Sequence, residues 1–348
     1  MTKLARLLGT AALCLSAPLA LAADSELMVF DYAGFENPEF HSTYTAKHGT
    51  EPTFSFFGDE EEALQKILSG FKTDVSGICA GSVQKWIDSG IIEPWDTTKI
   101  TAWNDIDKNL TGKQVAGAEE DVWFVPTYFG SAAISYNTEE VPAEDVASLN
   151  VFLDPKYAGR TSIADNVDDA YALAYLATGV TDWTEVTEEQ FKAASDWLRQ
   201  ATQNVAFYWD APATVAQSMV DGLVLVSWTW NETFPTLTQE GFPVGYQREA
   251  KEGSSLFVCG LVNLKDGPGS EEKVYDYVNS FLDPSSTEAL LESGYGQANG
   301  VALSALDPEL VKSVGLGPVD VPIFAQLPIS VEWRQRHAEE FEKIKAGF

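Results

Sequence analysis

The run Leu223-Val224-Leu225-Val226-Ser227-Trp228-Thr229-Trp230-Asn231-Glu232 decides how the chain is read. Its first four residues are apolar and valine-rich, as expected of a parallel strand buried on both faces. Two indoles and an amide follow at once. Ligands of open α/β sheets sit beyond the carboxyl ends of such strands, which makes Trp228 and Asn231 candidates for a binding site. Core packing is the competing reading for each indole.

Outward from this run, strand and helix signals alternate. Upstream lie a strand at Thr161–Ala164, a helix from Asp168 through Leu176, an amphipathic helix from Glu188 to Gln203, a strand at Asn204–Tyr208 and a helix from Ala213 to Asp221. Nearer the amino end, Leu27–Phe30, Thr53–Phe57 and Asp74–Cys79 read as strands. The helices between and after them are punctuated by Gly49, Asp59 and Gly90, the residue types that stop or cap helices. This β-α-β order implies parallel sheets with helices on both faces. Trp123–Gly130 and Ser131–Asn137 form a long extended passage that suits a chain crossing from one lobe to another. Downstream, Pro243–Tyr246 and Leu256–Asn263 are strand-like, Glu271–Leu282 is helical until Asp283-Pro284 stops it, and Ile329–Ala346 reads as a last helix carrying Trp333, Phe341 and Ile344.

The chain opens with Lys3 and Arg6, an apolar run from Leu7 to Ala17, and Ala20-Leu21-Ala22, the layout of a secretory signal peptide over residues 1–22. Bulky Leu13 before Cys14 does not fit a lipidation site. Export leaves Cys79 and Cys259 where pairing is permitted. The 22 basic and 52 acidic residues give a net charge of −30, a field that repels nucleic acid and anionic membranes and attracts cations. Adaptation to a salty habitat is an equal explanation. No C-x-x-C, H-E-x-x-H, G-x-S-x-G or phosphate-loop pattern occurs, so no metal, cofactor or catalytic machinery is expected. His41, His48 and His337 read as exposed helical residues.

With exported, two-lobed and non-catalytic in hand, the chain resembles the periplasmic solute-binding proteins of ABC importers, specifically the spermidine/putrescine-binding family. The likeness is carried by Val29–Phe35, Trp123–Asn137, Val226–Asn231, Glu252-Gly253 leading into Leu256–Cys259, Phe281–Pro284, Gly294–Asn299 and Phe341–Gly347. It implies a type II binding protein: an α/β fold of two lobes, each a doubly wound, mostly parallel sheet, hinged by two crossovers. Lobe 1 would span 23–130 plus about 232–280, and lobe 2 about 131–231 plus about 281–348.

The resemblance also implies roles. Tyr32, Phe35 and Trp228 would stack on the ligand, Asp169 would balance its charge with Asn166 just upstream, and Asn231 and Tyr295 would hydrogen-bond. Gly81 and Cys79 sit where the family has a tyrosine or serine in the first lobe. Asn231 and Cys259 stand where it usually has acids. Two charge-assisted hydrogen bonds fewer would remove about 3–6 kcal/mol of affinity for a polyamine, which points to a less cationic ligand: a monoamine, an amino-acid-like zwitterion or a short diamine. The implied fold sets the third strand beside the returning one, allowing a Cys79–Cys259 disulfide; two buried free thiols are the alternative. Expected partners are a membrane permease and its ATPase, the chain itself being a monomer. A secreted carbohydrate-active enzyme and a chemoreceptor-coupled sensor are the rival functions.

Overall fold

The structure is a computed structural model that describes residues 23–111 and 121–348; the expected leader lies outside them. Twelve strands are described: β1 (Ala23–Tyr32), β2 (Glu51–Phe57), β3 (Val75–Cys79), β4 (Ile92–Glu93), β5 (Val125–Asn137), β6 (Thr161–Ala164), β7 (Val205–Trp209), β8 (Val226–Trp230), β9 (Val244–Gln247), β10 (Ser254–Leu264), β11 (Gly296–Gln297) and β12 (Ile323–Gln326). They join in the order β2-β1-β3-β10-β5-β8-β6-β7, with β4 and β12 also on β10, and β9 and β11 also on β5. The outer pairs β1/β2, β1/β3, β6/β7 and β6/β8 are parallel. The central ones, β3/β10, β10/β5 and β5/β8, are antiparallel.

Two cores flank this centre. The first gathers Phe30, Val75, Trp86, Phe124, Val258 and Tyr277; the second gathers Ile134, Tyr171, Leu173, Trp228 and Phe324. β5 contributes Val125 and Phe129 to the first core and Ala132 and Ile134 to the second. Together with β10 it supplies the two expected crossovers, and the chain passes a third time between Leu316 in the first core and Phe324 in the second. The stretch from Phe281 to Leu316, expected with the second lobe, packs into the first core through Leu282, Leu290, Ala298 and Val311. The helix stop at Asp283-Pro284 turns the chain without taking it out of that lobe.

Helix starts follow the sequence signals. Asp59 caps the helix Glu60–Leu68 by accepting from Glu62 N at 2.9 Å. Three glutamates in its first turn suit the helix dipole. Asn166 caps the helix Val167–Ala177, accepting from Asp168 N and Asp169 N at 3.0 and 3.1 Å. The histidines depart from expectation. His41 and His337 are buried and only His48 is partly open. In the tail helix His337 falls on the apolar stripe of Trp333, Phe341 and Ile344, so it turns inward against Tyr175, whose hydroxyl lies 2.7 Å from Nε2. Burial drops its pKa to about 3, keeping the ring neutral.

Cys79 and Cys259 face each other in the β3/β10 ladder and are disulfide-bonded, closing a sequence separation of 180. At the amino end Asp24 is buried against Tyr44, Thr50 and Lys273, with Oδ2 at 2.8, 2.9 and 2.7 Å from their polar atoms. Burial pushes its carboxyl up, but the Lys273 ammonium and the other donors outweigh this and hold it well below the usual range.

The unreduced, unfolded protein purified from Ala23 onward should therefore show no reactive thiol, and reduction should release two; removing the bridge should cost about 2–5 kcal/mol in urea unfolding. Asp24, with its depressed folded pKa, contributes stability that is complete above its unfolded value of about 3.9 and is lost progressively as pH falls from there through the lower folded value. Asp24→Asn should lose about 1–3 kcal/mol at pH 7 and show a shallower loss of stability between pH 5 and pH 2 than the parent, read by denaturant unfolding across that range.

Candidate ligand-binding cleft

A cleft of about 450 Å³ opens where the two cores meet, at the carboxyl ends of β1, β3 and β8. A larger hollow of about 590 Å³ beside Asn104–Lys108 and Gly300–Ala305 is a surface depression lined by no aromatic ring.

The first core gives the cleft its rings. Phe35 stacks on Tyr128 with centroids 4.8 Å apart, and Tyr295 lies 5.0 Å from Tyr128. Tyr32, whose ring lies 4.5 Å from Phe57, donates its hydroxyl to Glu60 Oε1 at 3.1 Å. Glu60 also accepts from Cys79 N at 2.6 Å and from the Ser82 hydroxyl. Burial pushes the Glu60 carboxyl up against the pull of these donors. With both oxygens engaged, Glu60 is a brace for Tyr32. The disulfide sulfurs form part of the same wall.

The second core adds Trp230 and the charged residues Asp168, Asp169, Glu232 and Arg334 to the Asp59, Glu60 and Glu61 of the first. Trp230, at the last position of β8, lines the cleft, edge-on to Trp209 at 4.9 Å and to Phe257 at 6.3 Å. Its indole N–H donates to Asp169 Oδ2 at 2.6 Å, while Gln326 Nε2 donates to Asp169 Oδ1 at 2.8 Å. Burial raises the Asp169 pKa to about 6. Asp168, one residue earlier, accepts from Arg334 at 3.3 Å through Oδ2, and its Oδ1 is buried without a partner. Glu232 likewise has a buried, unpartnered Oε2, and burial pushes its carboxyl up to about 7 against the pull of the Tyr295 hydroxyl. Gly81 is needed where the cores approach: a Cβ there would lie 2.5 Å from Asp168 Oδ2.

Of the residues singled out from the sequence, Tyr32, Phe35, Gly81, Asn166, Asp169, Tyr295, Cys79 and Cys259 line this cleft. Trp228 and Asn231 do not. Trp228 is 2 % exposed in the second core. Side chains two apart on a strand share a face, and Trp230, nearer the strand's end, clears the core that covers Trp228. Asn231 is fully buried and spends its amide on Ser131, Gly294 and Val314. Its neighbour Glu232 lines the cleft. Tyr128, Trp230, Asp168, Glu232 and Arg334 were not chosen from the sequence. Placing the strand at Val226–Trp230 instead of Leu223–Val226 yields Trp230 and Glu232; nothing local marks Arg334, which arrives from the far end of the chain.

Comparison with known proteins agrees with this geometry. Residues 39–316 match the family described as bacterial extracellular solute-binding protein. The chain is 24% identical over 354 residues to the spermidine/putrescine-binding periplasmic protein of Salmonella typhimurium, covering 98% of each. Its fold is similar to that of a spermidine/putrescine ABC transporter substrate-binding protein from Streptococcus pneumoniae, at TM-score 0.75 and 18% identity over 94% of this chain and 99% of that one. A second solved relative, a binding protein from A. tumefaciens B6 in complex with glucopine, matches at TM-score 0.69 and 17% identity over 92% of this chain and 99% of that one. The match spans well over half of the sequence and the described fold is that of type II binding proteins: the chain belongs to the bacterial extracellular solute-binding protein family.

Proposed function

We propose that this protein is the periplasmic binding component of an ABC importer and captures a small amine between its lobes without transforming it. The lobes are about 23–129 with 256–316, and 131–255 with 317–348, so that the stretch 232–255, expected with the first lobe, is assigned to the second through Leu237 and Ala250; they hinge where β5, β10 and the 317–323 passage run between them. The single observation that carries the reading is the buried, unpartnered Oε2 of Glu232 inside a ring-walled cleft. A buried carboxylate oxygen without a donor is unfavourable, and an ammonium group relieves it. The faces of Phe35, Tyr128, Tyr295 and Trp230 suit both the methylenes and the charge of an alkylamine, each cation–ring contact being worth about 0.5–2 kcal/mol. Closure over such a solute would expel water and present the loaded form to a permease driven by its ATPase. Relatives named for spermidine and putrescine binding support the ligand class.

Titration calorimetry with putrescine at pH 8 should give saturable one-site binding, with the amine recovered unaltered by NMR. Absence of binding by putrescine, spermidine and short amino acids alike would remove the proposal. Glu232→Gln should weaken binding by roughly 10- to 150-fold, the value of one charge-assisted hydrogen bond.

Binding should also depend on pH in a defined direction. A cation needs the ionised carboxylate, and the free Glu232 titrates at about 7. Affinity should therefore be level above that pH and fall as pH drops below it, with proton release on binding. Titrations at pH 8, 7 and 6 in buffers of different ionisation enthalpy check this, and the Gln variant should lose most of the slope.

A further inference from the structure

Amid the carboxylates of the cleft stands one cation among the described residues, Arg334, from the helix Val331–Lys345. Its hold is partial. One terminal nitrogen donates to Asp168 Oδ2 at 3.3 Å, the other lies 3.9 Å from Glu61 Oε1, and Nε is buried with no partner. Asp168 Oδ1, on the acid paired with it, is also buried with no partner. An unfilled donor and an unfilled acceptor thus stand on one ion pair. Beside them the wall is Gly81, where a Cβ would reach to 2.5 Å of Asp168 Oδ2 and 3.5 Å of Arg334 Nε.

A guanidinium in a cleft for amines offsets Asp168 and Glu61 but repels every ammonium that enters. Its planar fork is suited to carboxylates, and an acid beside it takes the ammonium of the same ligand. Resting on the amine-capture reading above, we infer that the ligand is a zwitterionic diamino acid. Its carboxylate meets Arg334, its α-ammonium meets Asp168 Oδ1, its methylenes lie on the rings, and its terminal ammonium meets Glu232 Oε2. Gly81, without a Cβ, lets the Asp168–Arg334 pair sit close against the first-lobe backbone.

Ornithine and putrescine differ by a single carboxylate and make the test direct. In titration calorimetry on the unmodified protein, ornithine should bind at least about tenfold more tightly than putrescine, the worth of a charge-assisted pair. Ornithine methyl ester, which keeps both ammonium groups and lacks the anion, should fall back to the putrescine level. Arg334→Gln should bring the ornithine-to-putrescine affinity ratio to about one; a merely structural role for the arginine would weaken both ligands together and leave the ratio standing. Putrescine binding as tightly as ornithine, or the ester binding as tightly as the free acid, overturns the inference while amine capture stands. Binding of neither putrescine nor ornithine overturns the inference as well, and only the further absence of binding by spermidine and short amino acids would remove amine capture with it.

Discussion

The buried carboxamide of Asn231 is the joint on which the two halves of the cleft are set. Its Oδ1 accepts from Ser131 N at 3.0 Å in the middle of β5, and its Nδ2 donates to the carbonyls of Gly294 and Val314, in the segment that packs on the first core. Its own backbone N–H donates to Ser131 O at 2.9 Å. An aspartate here would turn acceptor lone pairs toward two carbonyls, and an alanine would leave three buried groups unpaired at about 1–3 kcal/mol each. Gly130 completes the joint, because a Cβ would stand 2.7 Å from Asn231 Oδ1 and 2.0 Å from the Phe257 ring. With Asn231 pinned, its sequence neighbours Trp230 and Glu232 are delivered to the cleft.

That placement produces two kinds of carboxylate in one cavity. Glu60 and Asp169 have both oxygens occupied by protein donors and hold rings in place: Tyr32 on one side, Trp230 on the other. Asp168 and Glu232 each keep an oxygen in reserve. Both kinds are desolvated, but only the second is short of a donor, so only the second gains a new hydrogen bond when a cation arrives. The overall charge of −30 adds a long-range attraction for the same sign of ligand, weakened by salt.

The sequence was legible where local physics decides. Strand–helix alternation, the Asp59 cap and the passage along β5 all follow from periodicity and capping chemistry. The first-lobe rings Tyr32 and Phe35 were readable because they follow a strand end directly. Where tertiary placement decides, reading failed by small steps. A strand that ends at Trp230 exchanged Trp230 for Trp228 and Glu232 for Asn231, and a single residue in the first helical turn exchanged the available oxygen of Asp168 for the occupied ones of Asp169. His41 looked exposed because its helix is short; in the fold its ring lies beneath Phe54 and Tyr277 and meets Glu51 at 2.7 Å. Arg334 enters the cleft only because the tail helix packs against the helices Val167–Ala177 and Glu188–Thr202.

The division of labour between the lobes has a consequence for how the cleft would fill. Tyr32, Phe35, Tyr128 and Tyr295 belong to the first core, as does the disulfide that occupies the place where an acid was expected. Asp168, Glu232 and Arg334 are carried by the helix Val167–Ala177, the end of β8 and the tail helix, all built on the second. A charged solute is drawn over distances of several ångströms, whereas ring and methylene contacts act only at touching distance. Asp168 Oδ1 and Glu232 Oε2, the oxygens still short of a donor, would therefore engage a cation first, and the ring wall of the first lobe, whose Glu60 is spent on its own donors, would gain its contacts only on closure. Because the Cys79–Cys259 bridge ties β3 to β10 within that wall, it arrives as one rigid surface, and the free energy of covering the methylenes goes into holding the lobes together.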